Sequence, residues 1–305
     1  MKKSALIAAL LAALISPASA TPPEALERCG PTGPGYAVAD ERVVDIITPA
    51  GRIEGTLAGP ADGPPRARIV MLHGYTGSRN EIPVAKGEGM FARAARVFAE
   101  RGIVSLRIDF IGSGRSDGDW ADTRFSTQAR DAIAATKWLT EMTGTSSAPL
   151  GVFGYSQGGL VAMRAAANGG PWERLALWNP VLDPMATYGI IFGEDTIRNA
   201  AQGDAAGDIV ADTRLRPGFF KGIVDADPRA DAAATDAAIL IVTGQRAPLV
   251  KNGAALANAL AEGRTAETQI LDLDAGHDLG AIHDPALLDQ VIACTASFLT
   301  AEPQR

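Results

Sequence analysis

Gly154-Tyr155-Ser156-Gln157-Gly158 is a G-x-S-x-G sequence. Such a sequence makes a serine hydroxyl a nucleophile when it sits on a sharp turn from a strand into a helix. The neighbours fit that setting, because the apolar strand Leu150–Phe153 comes before it and the apolar helix Gly158–Ala167 follows. Ser156 must then adopt a strained backbone so that its hydroxyl projects from the turn, and the flanking glycines let strand and helix close up without colliding side chains. The helix N-terminus would aim amide N–H groups and a positive dipole end at the reacting centre. The pattern recurs at Gly114-Arg115-Ser116-Asp117-Gly118. No strand directly precedes Ser116, and Asp117, Asp119 and Asp122 surround it, so this copy reads as loop.

A serine nucleophile needs a base, and the chain offers three histidines. His277 follows the strand Thr268–Leu273 through Asp274-Ala275-Gly276 and comes after the serine in chain order, as the base should. His283 lies six residues later, at or before the start of the last helix. His73 opens His73-Gly74-Tyr75-Thr76-Gly77, directly after the strand Arg68–Leu72. Acyl transfer needs two amide donors aimed at the developing oxyanion. One is expected from Gln157, just after the nucleophile, and the other from Tyr75 in this glycine-rich loop.

These residues need a scaffold, and the sequence alternates strand and helix patterns around them. A hairpin (Val43–Ile47, Ile53–Leu57) and a Pro/Gly-rich link lead into the strand Arg68–Leu72. Then come helix Ala92–Arg101, strand Ile103–Ile108, helix Ser126–Met142, strand Leu150–Phe153, helix Gly158–Ala167 and strand Leu175–Trp178. After a gap follow strand Ala238–Val242, helix Gly253–Ala261, strand Thr268–Leu273 and helix Pro285–Leu299. Such alternation predicts a mostly parallel sheet with helices on both faces. The gap, from Asp183 to about Asp236, is too long for an ordinary connection. Its Tyr188, Phe192, Phe219 and Phe220 predict a small cap over the site.

Composition narrows the class further. The chain has 305 residues, 47% hydrophobic and 21% charged, enough apolar material for one large α/β domain over 21–305. Lys2 and Lys3, the apolar run Ala5–Ile15 and Ala18-Ser19-Ala20 form the pattern of a cleaved signal peptide over residues 1–20, too short to span a membrane. Export to the periplasm or beyond, without a stable membrane anchor, is therefore expected. Cys29 and Cys294 are the only cysteines. In an oxidising compartment they read as one disulfide, worth roughly 4–5 kcal/mol in the chain-entropy picture. Two cysteines and three histidines show no metal-ligand spacing. The formal net charge is −7, and no basic cluster suits nucleic acid as a partner.

Three stretches together resemble the α/β-hydrolase superfamily of serine hydrolases: His73 through Glu81, Ile108-Asp109-Phe110-Ile111-Gly112-Ser113-Gly114-Arg115-Ser116-Asp117-Gly118, and Gly154 through Gly159. Within it the chain is most similar to cinnamoyl/feruloyl-esterase-like and lysophospholipase-like members. The resemblance implies an eight-stranded sheet, a cap after strand six, no cofactor, and a small-molecule ester as substrate. In one respect the chain departs from the pattern. The family places an aspartate after strand seven in a G-x-x-D-x-x-V setting, and Gly244-Gln245-Arg246-Ala247-Pro248-Leu249-Val250 has Ala247 in that slot. Three explanations follow. The acid has moved to Asp183, at the end of strand six; or Ala247 is an inactivating change in an otherwise intact site; or the chain is a non-catalytic ligand-binding protein on a hydrolase scaffold. A serine peptidase of the prolyl-oligopeptidase type is a further alternative, although such enzymes carry a large N-terminal domain for which this chain has no room.

Overall fold

The computed structural model describes Leu26, Cys29 and residues 36–301 except 86, 145 and 146. The expected export signal, residues 1–20, lies outside them. Eight strands form one sheet in the order β1-β2-β4-β3-β5-β6-β7-β8. β1 (Arg42–Thr48) and β2 (Gly51–Ala58) make the antiparallel hairpin, and β2 joins β4 (Ile103–Ile108) antiparallel. From β4 onward the pairing is parallel through β3 (Ala67–Leu72), β5 (Leu150–Tyr155), β6 (Arg174–Trp178), β7 (Ala238–Gly244) and β8 (Thr268–Leu273).

A parallel strand covered on both faces has no polar side to show, which is why these strands read as nearly unbroken apolar runs. Alternate residues feed two cores. Val70, Leu72, Val152, Leu175, Leu177, Ile239 and Ile241 pack toward helices α2 (Phe125–Thr143) and α3 (Gln157–Ala167). Ile69, Met71, Phe153, Ala176, Trp178, Leu240 and Val242 pack toward α1 (Met90–Glu100) and α9 (Pro285–Thr300). The stretch between β6 and β7 forms four short helices: α4 (Pro184–Phe192), α5 (Glu194–Ala200), α6 (Pro217–Asp225) and α7 (Pro228–Ala233). Three of them begin with proline at the first helical position, where its missing N–H costs nothing. α8 (Gly253–Glu262) connects β7 to β8. No described helix is long and apolar enough to cross a membrane.

Cys29 and Cys294 are joined in a disulfide that ties the segment around Leu26 to α9. The Ser297 hydroxyl donates to Cys29 O across the same junction. The bond closes a loop of sequence separation 265. A loop of that length constrains the unfolded chain by roughly 5 kcal/mol. Reduction is therefore expected to lower the melting temperature by about 10 °C. Calorimetry with and without dithiothreitol checks this, and an unchanged transition would show that the crosslink adds no stability.

Candidate active site

The residues singled out in the sequence lie at the C-terminal ends of parallel strands, the edge where open α/β sheets bind ligands. At the end of β5, Ser156 has φ +52° and ψ −116° and caps α3. Its N–H donates to Trp178 O (2.9 Å) and its carbonyl accepts from Val181 N (3.2 Å), so the strained residue is bracketed by the end of β6. Glycine is required around it by close approach. A Cβ on Gly158 would overlap Leu72 O, and one on Gly159 would lie 2.7 Å from the Cβ of Pro180.

His277 comes to this serine from the loop after β8, with Nε2 3.1 Å from Ser156 Oγ. Desolvation pushes the imidazole down to about 4, against the opposing pull of the neighbouring Asp278 carboxylate. The carbonyl of His277 is held by Tyr155 Oη (3.1 Å) and by Asn179 Nδ2 (2.9 Å). Its other ring nitrogen, Nδ1, is buried and has no hydrogen-bond partner among the described residues.

That orphan atom is where the acid of a triad would bind. Ala247 stands in the turn after β7, buried, and this turn is tied to the histidine loop by Arg246 N donating to Ala275 O (2.9 Å). The structure does not bring Asp183 to the histidine. Asp183 is exposed at the start of α4, and its Oδ1 accepts from Ala186 N (2.9 Å), the role of a helix N-cap. The turn signal Asp183-Pro184 thus reports a helix start. His283 makes no contact with the serine, and Asp284 beside it caps α9.

On the other side of Ser156 lies the loop after β3. His73 is fully buried; its Nε2 accepts from Phe110 N (3.2 Å), which leaves Nδ1 to donate to Gly74 O (2.9 Å). Gly77 N donates to the same oxygen. Because a peptide unit is planar and trans, fixing Gly74 C=O also fixes the opposite direction of Tyr75 N–H. Neither Tyr75 N–H nor Gln157 N–H donates to another protein atom among the described residues. The Tyr75 ring packs among Trp120, Tyr188, Phe192 and Phe219, and burial raises its phenol to about 12. Gln157 ties this cluster down, since its side chain accepts from Tyr188 Oη and donates to Gln128 Oε1.

The second G-x-S-x-G copy is a strap. Ser116 Oγ donates to Asp109 O (2.6 Å) and accepts from Glu54 N (2.9 Å), and Arg115 N donates to Asp109 Oδ2. Asp109 in turn accepts from Arg79 N (2.7 Å) and pairs with its guanidinium.

Two further residues, Asn179 and Glu81, were not assigned a role from sequence. Asn179 is fully buried at φ +40°, where asparagine is among the residues best able to sit. It donates to Gly276 O and His277 O and accepts from Gly244 N (2.7 Å), so one amide joins the loops after β6, β7 and β8. No motif spacing marks it. Among the described residues, no cluster of His, Cys, Asp or Glu is arranged to hold a metal ion.

The family described as Serine aminopeptidase, S33, matches residues 63–279, more than two thirds of the chain. The chain belongs to that family. The solved structures to which this family member is similar include Est1E from Butyrivibrio proteoclasticus with ferulic acid bound, at 18% identity and TM-score 0.63, covering 85% of this chain and 100% of that one. They also include the Pyrococcus furiosus esterase Pf2001, at 20% identity and TM-score 0.60, covering 81% and 87%. At these identities the likeness establishes the α/β-hydrolase fold. An uncharacterized 31.7 kDa protein of the traX-finO intergenic region of Escherichia coli is 30% identical over 100 residues, 33% of this chain. That stretch spans about a third (32%) of the relative's own length.

Asn179→Ala takes the side-chain acceptor from Gly244 N–H, removes one of two donors from each of the Gly276 and His277 carbonyls, and puts a residue with no polar side chain at positive φ. Stability is expected to fall by about 3 kcal/mol. Urea denaturation measures it, and an unshifted midpoint would remove Asn179 from this account.

Proposed function

We propose that the protein is an exported esterase that cleaves small carboxylic esters through an acyl-enzyme on Ser156, with His277 as base. The observation that carries this reading is the 3.1 Å contact between Ser156 Oγ and His277 Nε2 at a strained strand-to-helix turn. As Oγ attacks the ester carbonyl, Nε2 takes its proton, and the same imidazole then delivers that proton to the departing alcohol. The carbonyl oxygen, now an oxyanion, is met by the amides of Tyr75 and Gln157, both open for a partner. Water then attacks the acyl carbon and gives a proton to His277; the acyl–Oγ bond breaks, His277 returns that proton to Ser156 Oγ, and the carboxylic acid leaves.

For Nε2 to accept, the ring hydrogen must sit on Nδ1, where it has no acceptor among the described residues. The pair therefore works as a dyad with position 247 vacant, and Asp183 serves the cap. This weakness favours ester over peptide as substrate. A base held near 4 deprotonates serine poorly, and an alcohol leaves more readily than an amine. The aromatic cap, from Asp183 to about Asp236, faces Tyr75 and suits an apolar or aromatic group; a relative of the same fold crystallised with ferulic acid supports that choice. Export rests on the sequence pattern of residues 1–20 and is supported by the Cys29–Cys294 disulfide.

Hydrolysis of p-nitrophenyl butyrate tests the reading. Ser156→Ala is expected to abolish turnover and labelling by a fluorophosphonate. The base is active when neutral, and burial favours the neutral form, so kcat/KM should hold as pH falls and decline only near 4. Faster cleavage of an aminoacyl p-nitroanilide than of the ester would favour a peptidase. A serine that neither turns over nor takes the probe would leave a binding protein.

A further inference from the structure

Glu81 is a carboxyl group that the dyad does not use, yet it lies against the site. Its backbone is in the left-handed region at φ +56°, an uncommon place for a residue with a long side chain. From there its side chain folds back under the loop after β3. Oε1 accepts from Gly74 N–H, and the carboxylate also accepts from the backbone of Ile82. The two glycines of the loop are shaped around it. A Cβ on Gly77 would collide with the carboxylate, and a Cβ on Gly74 would sit 3.4 Å from Oε1 and 3.3 Å from Ser156 Cβ. Glu81 and Ser156 thus both border the one space that Gly74 leaves open.

The turn that carries Glu81 is itself anchored. Glu81 N donates to Ser78 O (2.9 Å), and Arg79 is bound to Asp109, Glu54 and Thr56. Desolvation drives the Glu81 carboxyl up to about 7, with the Gly74 and Ile82 amides opposing the shift. Holding it there is unfavourable, and such local cost is typical of groups retained for a site.

We infer that Glu81 is a positioning residue for the oxyanion loop: its carboxylate holds Gly74 N–H, and so the His73–Gly74 peptide, while His73 holds Gly74 O on the next peptide, so that the two planes meeting at Gly74 Cα, and with them the direction of Tyr75 N–H, are fixed together. The inference rests on Ser156 being the nucleophile and Tyr75 N–H an oxyanion donor. Its consequence is specific. An oxyanion donor acts on the transition state and leaves ground-state binding almost untouched. Loss of Glu81 should then lower kcat and the affinity for an oxyanion mimic, with KM little changed.

The full chain, Glu81→Gln and Glu81→Ala are compared for p-nitrophenyl butyrate hydrolysis, inhibition by hexyl trifluoromethyl ketone, and melting temperature. The hydrated ketone is converted by an active serine into a charged hemiketal, which reads the oxyanion site directly. For Glu81→Ala, kcat should fall and the ketone inhibition constant rise, each on the order of 10–100-fold, with KM within about twofold. Glu81→Gln keeps one acceptor oxygen and should fall between the two. Unchanged kcat and ketone affinity in a folded Glu81→Ala protein would overturn the proposal. If that variant fails to fold, the near-isosteric Glu81→Gln decides: a several-fold loss supports positioning, and parity with the unaltered chain overturns it. Should the unaltered chain neither hydrolyse the ester nor bind the ketone, the reading of Ser156 falls, and this inference with it.

Discussion

The turn at Ser156 sets the terms for everything near it. A serine at φ +52° can be held between β5 and α3 only if strand and helix come almost into backbone contact. Gly158 lies against Leu72 O and Gly159 against Pro180, so the elbow also fixes how β3 and the end of β6 approach β5. The hydroxyl projects from the C-terminal edge of the sheet because the chain has nowhere else to put it. The loops after β3, β6, β7 and β8 are then arranged around one point.

Two kinds of polar tie hold those loops. On the histidine side, Asn179 binds Gly244, Gly276 and His277, and Tyr155 Oη adds a second hold on the His277 carbonyl. On the oxyanion side, His73, Asp109, Arg79 and Glu81 fix successive peptides of the loop after β3. Among the described residues both sets are satisfied except at one atom, His277 Nδ1, and the turn after β7 carries Ala247 where the resemblance drawn from the sequence would place an aspartate. The contact between Ser156 and His277 is thus in place, while no acceptor among the described residues supports the imidazole from Nδ1. Burial without that partner is also what lowers the His277 pKa.

Much of this was legible in the residues. The strand–helix alternation gave the sheet because parallel strands are apolar throughout, and the Ser156 elbow declared itself by glycine spacing within a strand-to-helix context. The helix expected from Ala92 starts two residues earlier, at Met90, where no capping side chain marks the start. The segment after β6 reads as a small cap without assigned helices because short helices with Asp, Gly and Ala carry little periodicity; proline at the first helical position is the available signal. Asp183 reads as a candidate acid for the same reason that it caps a helix, a carboxylate close after a strand end. Asn179 acts through contacts with residues more than sixty positions away, which no local pattern marks; Glu81 lies within the stretch from His73, but its left-handed backbone and its bond to Gly74 N–H do not show in residue types.

The central claim is that Ser156 and His277 form a working pair whose acid position, 247, is vacant. Side-by-side hydrolysis of p-nitrophenyl butyrate by this chain and by Ala247→Asp tests it most directly. A gain on the order of 10³–10⁴-fold is expected, with the acid limb of the pH profile rising from near 4 as a carboxylate comes to support the imidazolium. A chain that is already fast and indifferent to the substitution would contradict the claim, because its imidazole would then be supported from somewhere other than position 247.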